Sequence, residues 1–585
     1  MLSIIETLNE IFMKSFEEKG YDRELGRVVV SNRPDLCQFQ VNGAMGGAKI
    51  YKKAPLMIAN DVVSAVKEND VIKDITVVNP GFININVKDE FLGQYLFLMM
   101  NEKDFGFESK EAPKTVVIDY GGPNIAKPLH VGHLRSAVIG EALKRLNRFY
   151  GNNVISDAHL GDWGLQMGLI IHELKQRQPE LCYFDDKYEG EYPEVAPFEL
   201  NDLEEIYPFA SKKSKEDEVY LEEARTATQE LQDGRVGYRK LLGHIVRVSL
   251  EDLKRNYARL DVDFDYWYGE SDAHPYIPDM VEMMKKGGFA YLSDGALVVD
   301  VKEESDTAPI PPCIILKSNG SAIYETTDLA TLVQRKQDFN PDRVVYVVDK
   351  RQELHFERVF RCAKKTGIVD ENCQLSFIGF GTVNGPDGKP FKTRSGGTMK
   401  LSTLLDTVES KVSIKDSEKM TESEVEALSK VIALAAIKYG DLQNPSESNY
   451  LFDIDKFASF EGNTGPYILY TMVRIKSILA KLGREFLMDS SPFVDFAYES
   501  ERELALSLVR FSHVIKETVK KDLPSMLCQY IYEVSNKFNA FYHDKKILAE
   551  SDEKVLRSNV GLISLTLNVL DKCINLLGFS APEKM

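Results

Sequence analysis

Thr115-Val116-Val117-Ile118-Asp119 has the character of a short buried strand. It is broken by Gly121-Gly122-Pro123, and a helical pattern takes over from about Val131 to Tyr150. A strand that ends at a glycine break and feeds a helix opens a crossover unit. The pattern recurs. Val154 starts a second strand-and-loop unit that runs through His159-Leu160-Gly161-Asp162-Trp163-Gly164, and Arg343–Val348 and Leu375–Phe380 each stand beside a helical pattern. Parallel strands cannot be joined by tight hairpins, so strands alternating with helices imply a parallel, doubly wound sheet. The expected class is α/β.

The flanks read differently. The opening segment pairs an amphipathic helix, about Leu2 to Glu18, with strand-like runs at Arg27–Val30, Gln38–Val41, Ile75–Val78 and Phe82–Val87. This is the pattern of a small α+β module. From about Ser402 onward the chain is almost wholly helical, with apolar positions three and four apart in Glu424–Tyr439, Tyr467–Leu482, Arg502–Lys520, Pro524–Tyr542 and Val555–Leu577. At about 100–200 residues per domain, 585 residues make three or four domains. The expected boundaries are 1–110 for the module, 111–400 for the parallel sheet with an insertion about 175–265, 401–455 for connecting helices, and 456–585 for a helix bundle.

Composition narrows the function classes. Hydrophobic residues at 43% and charged residues at 28% fit a globular chain rather than a disordered or fibrous one. No apolar run reaches the ~18 residues of a membrane span, and the N-terminus lacks the cationic start of a signal peptide. Seven cysteines without a C-x-x-C pair argue against a disulfide framework and a cysteine zinc site, so a cytoplasmic setting and no protein-bound zinc are expected. The net charge of −18 speaks against a nucleic-acid partner, but it is unevenly placed. Residues 180–223 hold 15 acids and 4 bases, whereas 456–585 hold 17 bases and 16 acids. Local patches govern association more than the sum does. The acidic run reads as a solvated face.

The chemistry concentrates in Asp119 through His133, which joins a strand end to a helix start. Free N–H groups at a helix start favour a phosphate. Two histidines, His130 and His133, can flank it, Gly132 between them lets a flat base approach the backbone, and Lys127 adds a mobile cation.

His130-Val131-Gly132-His133 resembles the HIGH motif of class I aminoacyl-tRNA synthetases. The wider run Pro123–Ser136, together with His159–Gly168, is similar to the arginyl-tRNA synthetase family, and the resemblance extends in order from Gln38 to Met585. It implies a Rossmann-type catalytic domain, an N-terminal add-on domain that touches the tRNA elbow, and an α-helical anticodon-binding domain. It also implies ATP, with substrate-bound Mg²⁺, as cosubstrate. Gly388–Thr398 matches the mobile KMSKS loop, with Thr393 at the position of the second lysine. Many members of the family share that departure and carry a lysine where Lys127 stands. The resemblance thus implies His130, His133, Lys127 and Lys392 as catalytic groups, and His130, Gly132, His133, Lys389, Lys392 and Arg394 around ATP.

The amino acid pocket must hold a planar, permanently charged guanidinium, which carboxylates at fixed geometry suit. Tyr324 and Asp328 stand at i and i+4 and share a side if the segment is helical. The resemblance assigns these two, with Gln352, Asn124, Asp119 and, as a weaker candidate, Glu270, to the arginine. On the tRNA side it points to Phe39, Gln40 and Asn42 in the first module, and to Tyr467, Tyr470, Arg474, Tyr542 and the terminal Met585 in the last. Aromatic stacking and edge contacts read unpaired bases. One further departure is Gly121-Gly122, where the family often has a serine-containing step.

The implied reaction is ATP-dependent formation of arginyl-adenylate and transfer to the 2′-hydroxyl of the terminal adenosine of tRNA(Arg), by a monomer, with activation coupled to tRNA. Two rivals stand beside it. A synthetase for cysteine needs a zinc site and one for glutamate a cationic pocket. A catalytically silent tRNA-binding regulator would tolerate loss of His130, His133 and Lys127, which are intact.

Overall fold

The computed structural model describes every residue except Met1, 386–387, 390–398, 413, 415–416, 484–492 and 494–495. The chain forms two compact units. One comprises Met1–Glu111, Phe460–Leu576 and Ser580–Met585; the other comprises Ala112–Ser459 and Leu577–Phe579.

In the first unit, helix Ile4–Glu18 starts at a reciprocal cap between Ser3 and Glu6 and buries Ile4, Ile5, Leu8, Phe12 and Phe16 along one stripe. Strands β1 (Val28–Val30), β2 (Phe39–Val41), β3 (Ile72–Val78) and β4 (Phe82–Val87) form a four-stranded sheet in the order β1-β2-β4-β3, every pair antiparallel. The same unit contains helices Gly465–Leu482, Glu499–Leu508, Phe511–Lys521, Pro524–Asp544 and Glu553–Leu576. The sequence pattern reads Arg502–Lys520 as one helix; the structure divides it at Val509 and Arg510. Leu504, Leu508, Phe511 and Ile515 are all buried and keep the helical spacing across the break, so the apolar phase does not reveal it. Ion pairs of 2.6 Å from Lys516 to Glu6 and 2.8 Å from Lys572 to Asp104 tie these helices to the first module.

The second unit begins with β5 (Thr115–Tyr120), helix Val131–Tyr150 and β6 (Asn153–Asp157). Helices Leu200–Glu216, Glu218–Gln232 and Val236–Arg259 follow. Leu203, Ile206, Ala210, Tyr220, Ala224 and Leu231 are buried, and nearly all the acids of 180–223 are exposed, so the charge sits on the solvated side of an ordinary amphipathic layer. Next, β7 (Ala290–Ser293), β8 (Ala296–Val299) and β9 (Cys313–Leu316) make an antiparallel sheet. Four-residue strands are too short to show a clear period, and the sequence reading lacks them.

Strands β10 (Arg343–Asp349) and β11 (Gln374–Phe380) complete the main sheet, whose order is β11-β10-β5-β6 with every pair parallel. Val117, Val344, Leu329, Val359 and Cys362, all fully buried, belong to one core between that sheet and the helices Tyr324–Phe339 and Glu353–Lys365. Two short strands, β12 (Val383–Asn384) and β13 (Tyr450–Leu451), pair in parallel. The sheet runs outward from β5 both ways, to β6 on one side and to β10 on the other. Its switch point lies at the carboxyl ends of β5 and β10, where an open parallel sheet offers a ligand crevice. Among the described residues no helix is long and apolar enough to cross a membrane.

Candidate active site at the carboxyl edge of the parallel sheet

His130 is the N-cap of helix Val131–Tyr150. Its Nδ1 accepts the Gly132 N–H at 3.0 Å, and its own N–H donates to His133 Nδ1 at 3.1 Å. The two histidines thereby make a reciprocal cap of the kind serine and glutamate usually supply. With Nδ1 of both rings occupied as acceptor, Nε2 carries the proton in each neutral imidazole and is left to donate. Burial, followed by the charge of Lys127, lowers the pKa of His130. Burial and the neighbouring His130 push His133 down to about 3. Two neutral rings with centroids 3.9 Å apart thus stand at a helix start as hydrogen-bond donors, and at neutral pH neither is a proton carrier. A Cβ on Gly132 would lie 2.7 Å from His130 Cε1, so any side chain there displaces the ring.

The preceding loop is fastened at several points. The Gly121 N–H donates to Ser136 Oγ at 2.8 Å, and that hydroxyl donates to the Val347 carbonyl at 2.6 Å, which joins loop, helix and β10. A Cβ on Gly122 would lie 2.0 Å from the His159 carbonyl oxygen. Gly122 is therefore required by the close passage of the His159 loop, and Gly121 by its backbone φ of +67°. Arg135, 1% exposed, donates to the carbonyls of Gly381 and Ser448 at 3.1 and 2.7 Å and pairs with the buried Asp441 at 3.3 Å.

Met399, Lys400 and Leu401 meet this site. Val131 N–H donates to the Met399 carbonyl at 3.0 Å, Leu401 N–H donates to the Leu129 carbonyl at 2.8 Å, and Lys400 pairs with His130 in an antiparallel bridge. Lys389 is exposed, and its carbonyl accepts the Gly385 N–H at 2.8 Å. Lys392, Thr393 and Arg394 lie outside the described residues. Lys127 Nζ sits 4.3 Å from the centre of the Tyr207 ring, and Lys400 pairs with Glu204 at 2.7 Å, so the first inserted helix holds both cations.

Asp328 lies on helix Tyr324–Phe339, whose first residue is Tyr324, 71% exposed. The helical spacing expected of the pair is present. Asp328 Oδ2 is 2.5 Å from His355 Nε2; Glu325, one turn earlier, pairs with Arg358 at 2.7 Å, and His355 Nδ1 stands 3.8 Å from Glu325. Two residues on each of two helices thus interlock as acid, base, acid, base. Burial would lower the pKa of His355, but the two carboxylates outweigh it and push it up to about 9. Gln352 is the exposed N-cap of helix Glu353–Lys365. Asn124 is exposed and bridges to Gly161. Asp119 is the penultimate residue of β5 and is bound by Arg335, whose guanidinium also reaches Asp157. Asp119, Asp157 and His159 approach within 4.8 Å of one another, a spacing that suits a cation, and Arg335 supplies the charge.

Glu270 opens the short helix Glu270–Ala273. Burial pushes its carboxyl up to about 8, and the acids Asp328 and Asp162 add to this against the pull of His159. A carboxyl whose folded pKa exceeds its unfolded value costs stability increasingly as pH rises from about 4.5 to about 8. Glu270→Gln is expected to raise the Tm by several degrees at pH 8 and to change it little at pH 5. Equal shifts at the two pH values would show that the carboxyl is not held protonated.

The remaining expected residues lie in the other unit. Phe39 is 1% exposed. It and Val41 form the inward face of β2, so the ring is core and offers no stacking surface, contrary to the sequence reading. Gln40 faces the other way and donates to Asn84 Oδ1 at 2.8 Å. Asn42 stands at the start of the next helix, and its buried Oδ1 has no hydrogen-bond partner among the described residues. The bundle residues do converge. The Arg474 guanidinium lies 4.8 Å from the Tyr470 ring and 5.4 Å from the Tyr542 ring, and those tyrosines are 42% and 39% exposed. Tyr467 is tied to Asn536 at 2.7 Å, and Met585 is half-buried at the chain end. Arg335, Asp157, His159 and His355 went unremarked as functional groups in the sequence. Arg335 and His355 meet their acids only across the fold, and the local Asp157–His159 pair gains its significance only when Arg335 joins it.

Comparison with known proteins bears on this arrangement. Residues 96–454 match the family described as tRNA synthetases class I (R), catalytic domain; residues 3–87 match the arginyl tRNA synthetase N terminal domain and residues 468–585 the DALR anticodon binding domain. The chain is 54% identical to the arginine–tRNA ligases of Agathobacter rectalis and Alkaliphilus oremlandii, over 100% of both chains in each case. Among solved structures it resembles the arginyl-tRNA synthetase from Plasmodium falciparum, at 27% identity and a TM-score of 0.84, with both chains fully covered. It also shares the fold of the Thermus thermophilus arginyl-tRNA synthetase, at 20% identity and a TM-score of 0.79, again with full coverage of both. Catalytic core, first module and helix bundle all agree: the chain belongs to the arginyl-tRNA synthetase family.

Proposed function

We propose that this chain is an arginine–tRNA ligase that works as a cytoplasmic monomer with ATP, L-arginine and tRNA(Arg). The observation that carries the reading is the pair of neutral, mutually capped histidines at a helix start, in a chain 54% identical to arginine–tRNA ligases over its whole length. In the first step a carboxylate oxygen of arginine attacks the α-phosphorus of ATP. A bond from that carboxylate oxygen to phosphorus forms, and the bond from the α-phosphorus to the bridging oxygen breaks as pyrophosphate leaves. The attacking carboxylate is already ionised, so no protein base is needed, and catalysis is positioning plus stabilisation of charge on the phosphate oxygens.

His130 and His133 donate Nε2–H toward that charge, and Lys127 and the 389–394 loop, with Lys389, Lys392 and Arg394, add cations. Mg²⁺ enters as part of the ATP substrate. Asp328, Tyr324, Gln352 and Glu270 hold the guanidinium side, and Asp119 and Asn124 the α-ammonium. In the second step the 2′-hydroxyl of the terminal adenosine attacks the adenylate carbonyl, its proton leaves, and AMP departs. Gln40 and Asn42 in the first module, and Tyr470, Arg474 and Tyr542 with Tyr467 and Met585 in the bundle, contact the tRNA. An arginine between two half-exposed tyrosines is a platform for unpaired bases.

The test is exchange of labelled pyrophosphate into ATP with each proteinogenic amino acid, with and without unfractionated tRNA. Exchange with arginine alone is expected, and only when tRNA is present. Exchange without tRNA would keep the ligase and remove the coupling. Exchange with another amino acid would overturn the pocket. No exchange, with tRNA still bound, would make the chain a regulator.

A further inference from the structure

The carboxyl ends of β5 and β6 set two acids abreast, because Asp119 stands opposite Asp157 in the parallel register. Buried carboxylates side by side repel unless a cation joins them. Arg335, on helix Tyr324–Phe339 and 1% exposed, does so with a single nitrogen: Nη2 donates to Asp119 Oδ2 at 2.6 Å and to Asp157 Oδ2 at 2.8 Å. Among the described residues its Nε and Nη1 are buried without a hydrogen-bond partner, and the guanidinium lies 5.3 Å from the centre of the Tyr346 ring, so these two acids are its hydrogen-bond acceptors. The two acids then diverge. Asp157 also accepts the Tyr268 N–H at 3.1 Å and stands 3.4 Å from His159 Nδ1, and its side chain is 1% exposed. The Asp119 side chain is 12% exposed, and among the described residues only its Oδ2 accepts a hydrogen bond. Asp119 is therefore the acid with an oxygen to spare at the mouth of the crevice.

We propose that Arg335 is a positioning residue for the α-ammonium of the substrate: it fixes Asp119 through Oδ2 and thereby presents Oδ1 to the ammonium. The inference rests on the reading above that Asp119 is the ammonium contact. Asp157 and His159 serve it from behind. Asp157 draws the guanidinium to its place, and His159 balances Asp157. Lysine at 335 would keep the charge, but its shorter side chain stops the ammonium short of the point from which Nη2 reaches both acids. The Coulomb term stays and the geometry is lost, which gives the test a definite sign.

The experiment uses the full chain in arginine-dependent pyrophosphate exchange with tRNA present. It compares the KM of L-arginine with the inhibition constant of 5-guanidinopentanoate, which has the same guanidinium and carboxylate but no α-amine. Arg335→Lys is expected to raise the KM of arginine by about 10–100-fold, the range for losing one charge-assisted hydrogen bond. The inhibition constant of the analogue is expected to move less than about threefold on the same principle, since it never used that bond. Asp157→Asn, nearly isosteric, is expected to act in the same sense and serves if the lysine variant melts below the assay temperature. Equal losses for arginine and analogue would reduce Arg335 to a support of the fold, and no loss for either would overturn the proposal. Asp119→Asn separates the two levels: a preference for arginine over the analogue that survives it would sink the ammonium contact itself.

Discussion

Replacing Asp328 with alanine raises the KM for arginine by about 10²–10³-fold, the range expected when one partner of a desolvated charge pair is truncated, and leaves the KM for ATP nearly unchanged. Two effects add. The substrate guanidinium loses the carboxylate it is proposed to lie against. In addition, His355, pushed up to about 9 and hence charged at neutral pH, is left with the more distant Glu325 at 3.8 Å in place of Asp328 at 2.5 Å. An under-neutralised imidazolium then faces the incoming cation. Asp328→Asn tells the two apart, since it keeps an oxygen for His355 and removes the charge. The measurement is pyrophosphate exchange against arginine concentration at saturating ATP and tRNA. An unchanged KM for arginine would take Asp328 out of the pocket.

His133→Ala lowers kcat by about 10²–10³, the loss typical of one donor aimed at developing charge. The substitution removes the His133 Nε2–H donor. It also frees the His130 N–H, which donates to His133 Nδ1 at 3.1 Å, and so loosens the cap that orients the first histidine. His133→Asn separates these contributions, because its side-chain oxygen accepts the same backbone N–H while its amide falls short of the phosphate. That variant is expected to keep the Tm of the parent and not its rate. A near-normal kcat for either variant would end the assignment.

Much of the architecture was legible because it is written locally. Helix Val131–Tyr150 has the bounds its pattern suggests, since a cap, an apolar stripe and a closing glycine all lie within one segment. The same holds for β4 after its Asn-Pro-Gly turn. Local reading failed where a local signal carried no information. The break at Val509 and Arg510 leaves the apolar phase untouched, and strands β7, β8 and β9 are too short to show one. Phe39 illustrates the reverse case. An aromatic among polar neighbours reads equally as a stacking surface or a core residue, and only the partners of β2 decide that its side of the strand is inside.

The candidate site divides along the same line. His130, Gly132 and His133 are a few residues apart, and the cap they form follows from that spacing. Their protonation does not: the depressed pKa values come from burial by the rest of the unit. Asp328 and Tyr324 are named through the family resemblance, with the helix turn only setting them on one side, and the pairing of Asp328 with His355 joins two helices. Arg335 binds acids 216 and 178 positions away. The sequence by itself determined the main parallel strands, the long helices and the chemical types at the ends of those strands, because periodicity, caps and turn residues act over a few positions. Tertiary structure alone decided which charges meet, which rings stay neutral and which aromatics face inward. Those outcomes depend on desolvation and on distances between segments remote in the chain, which no local pattern encodes.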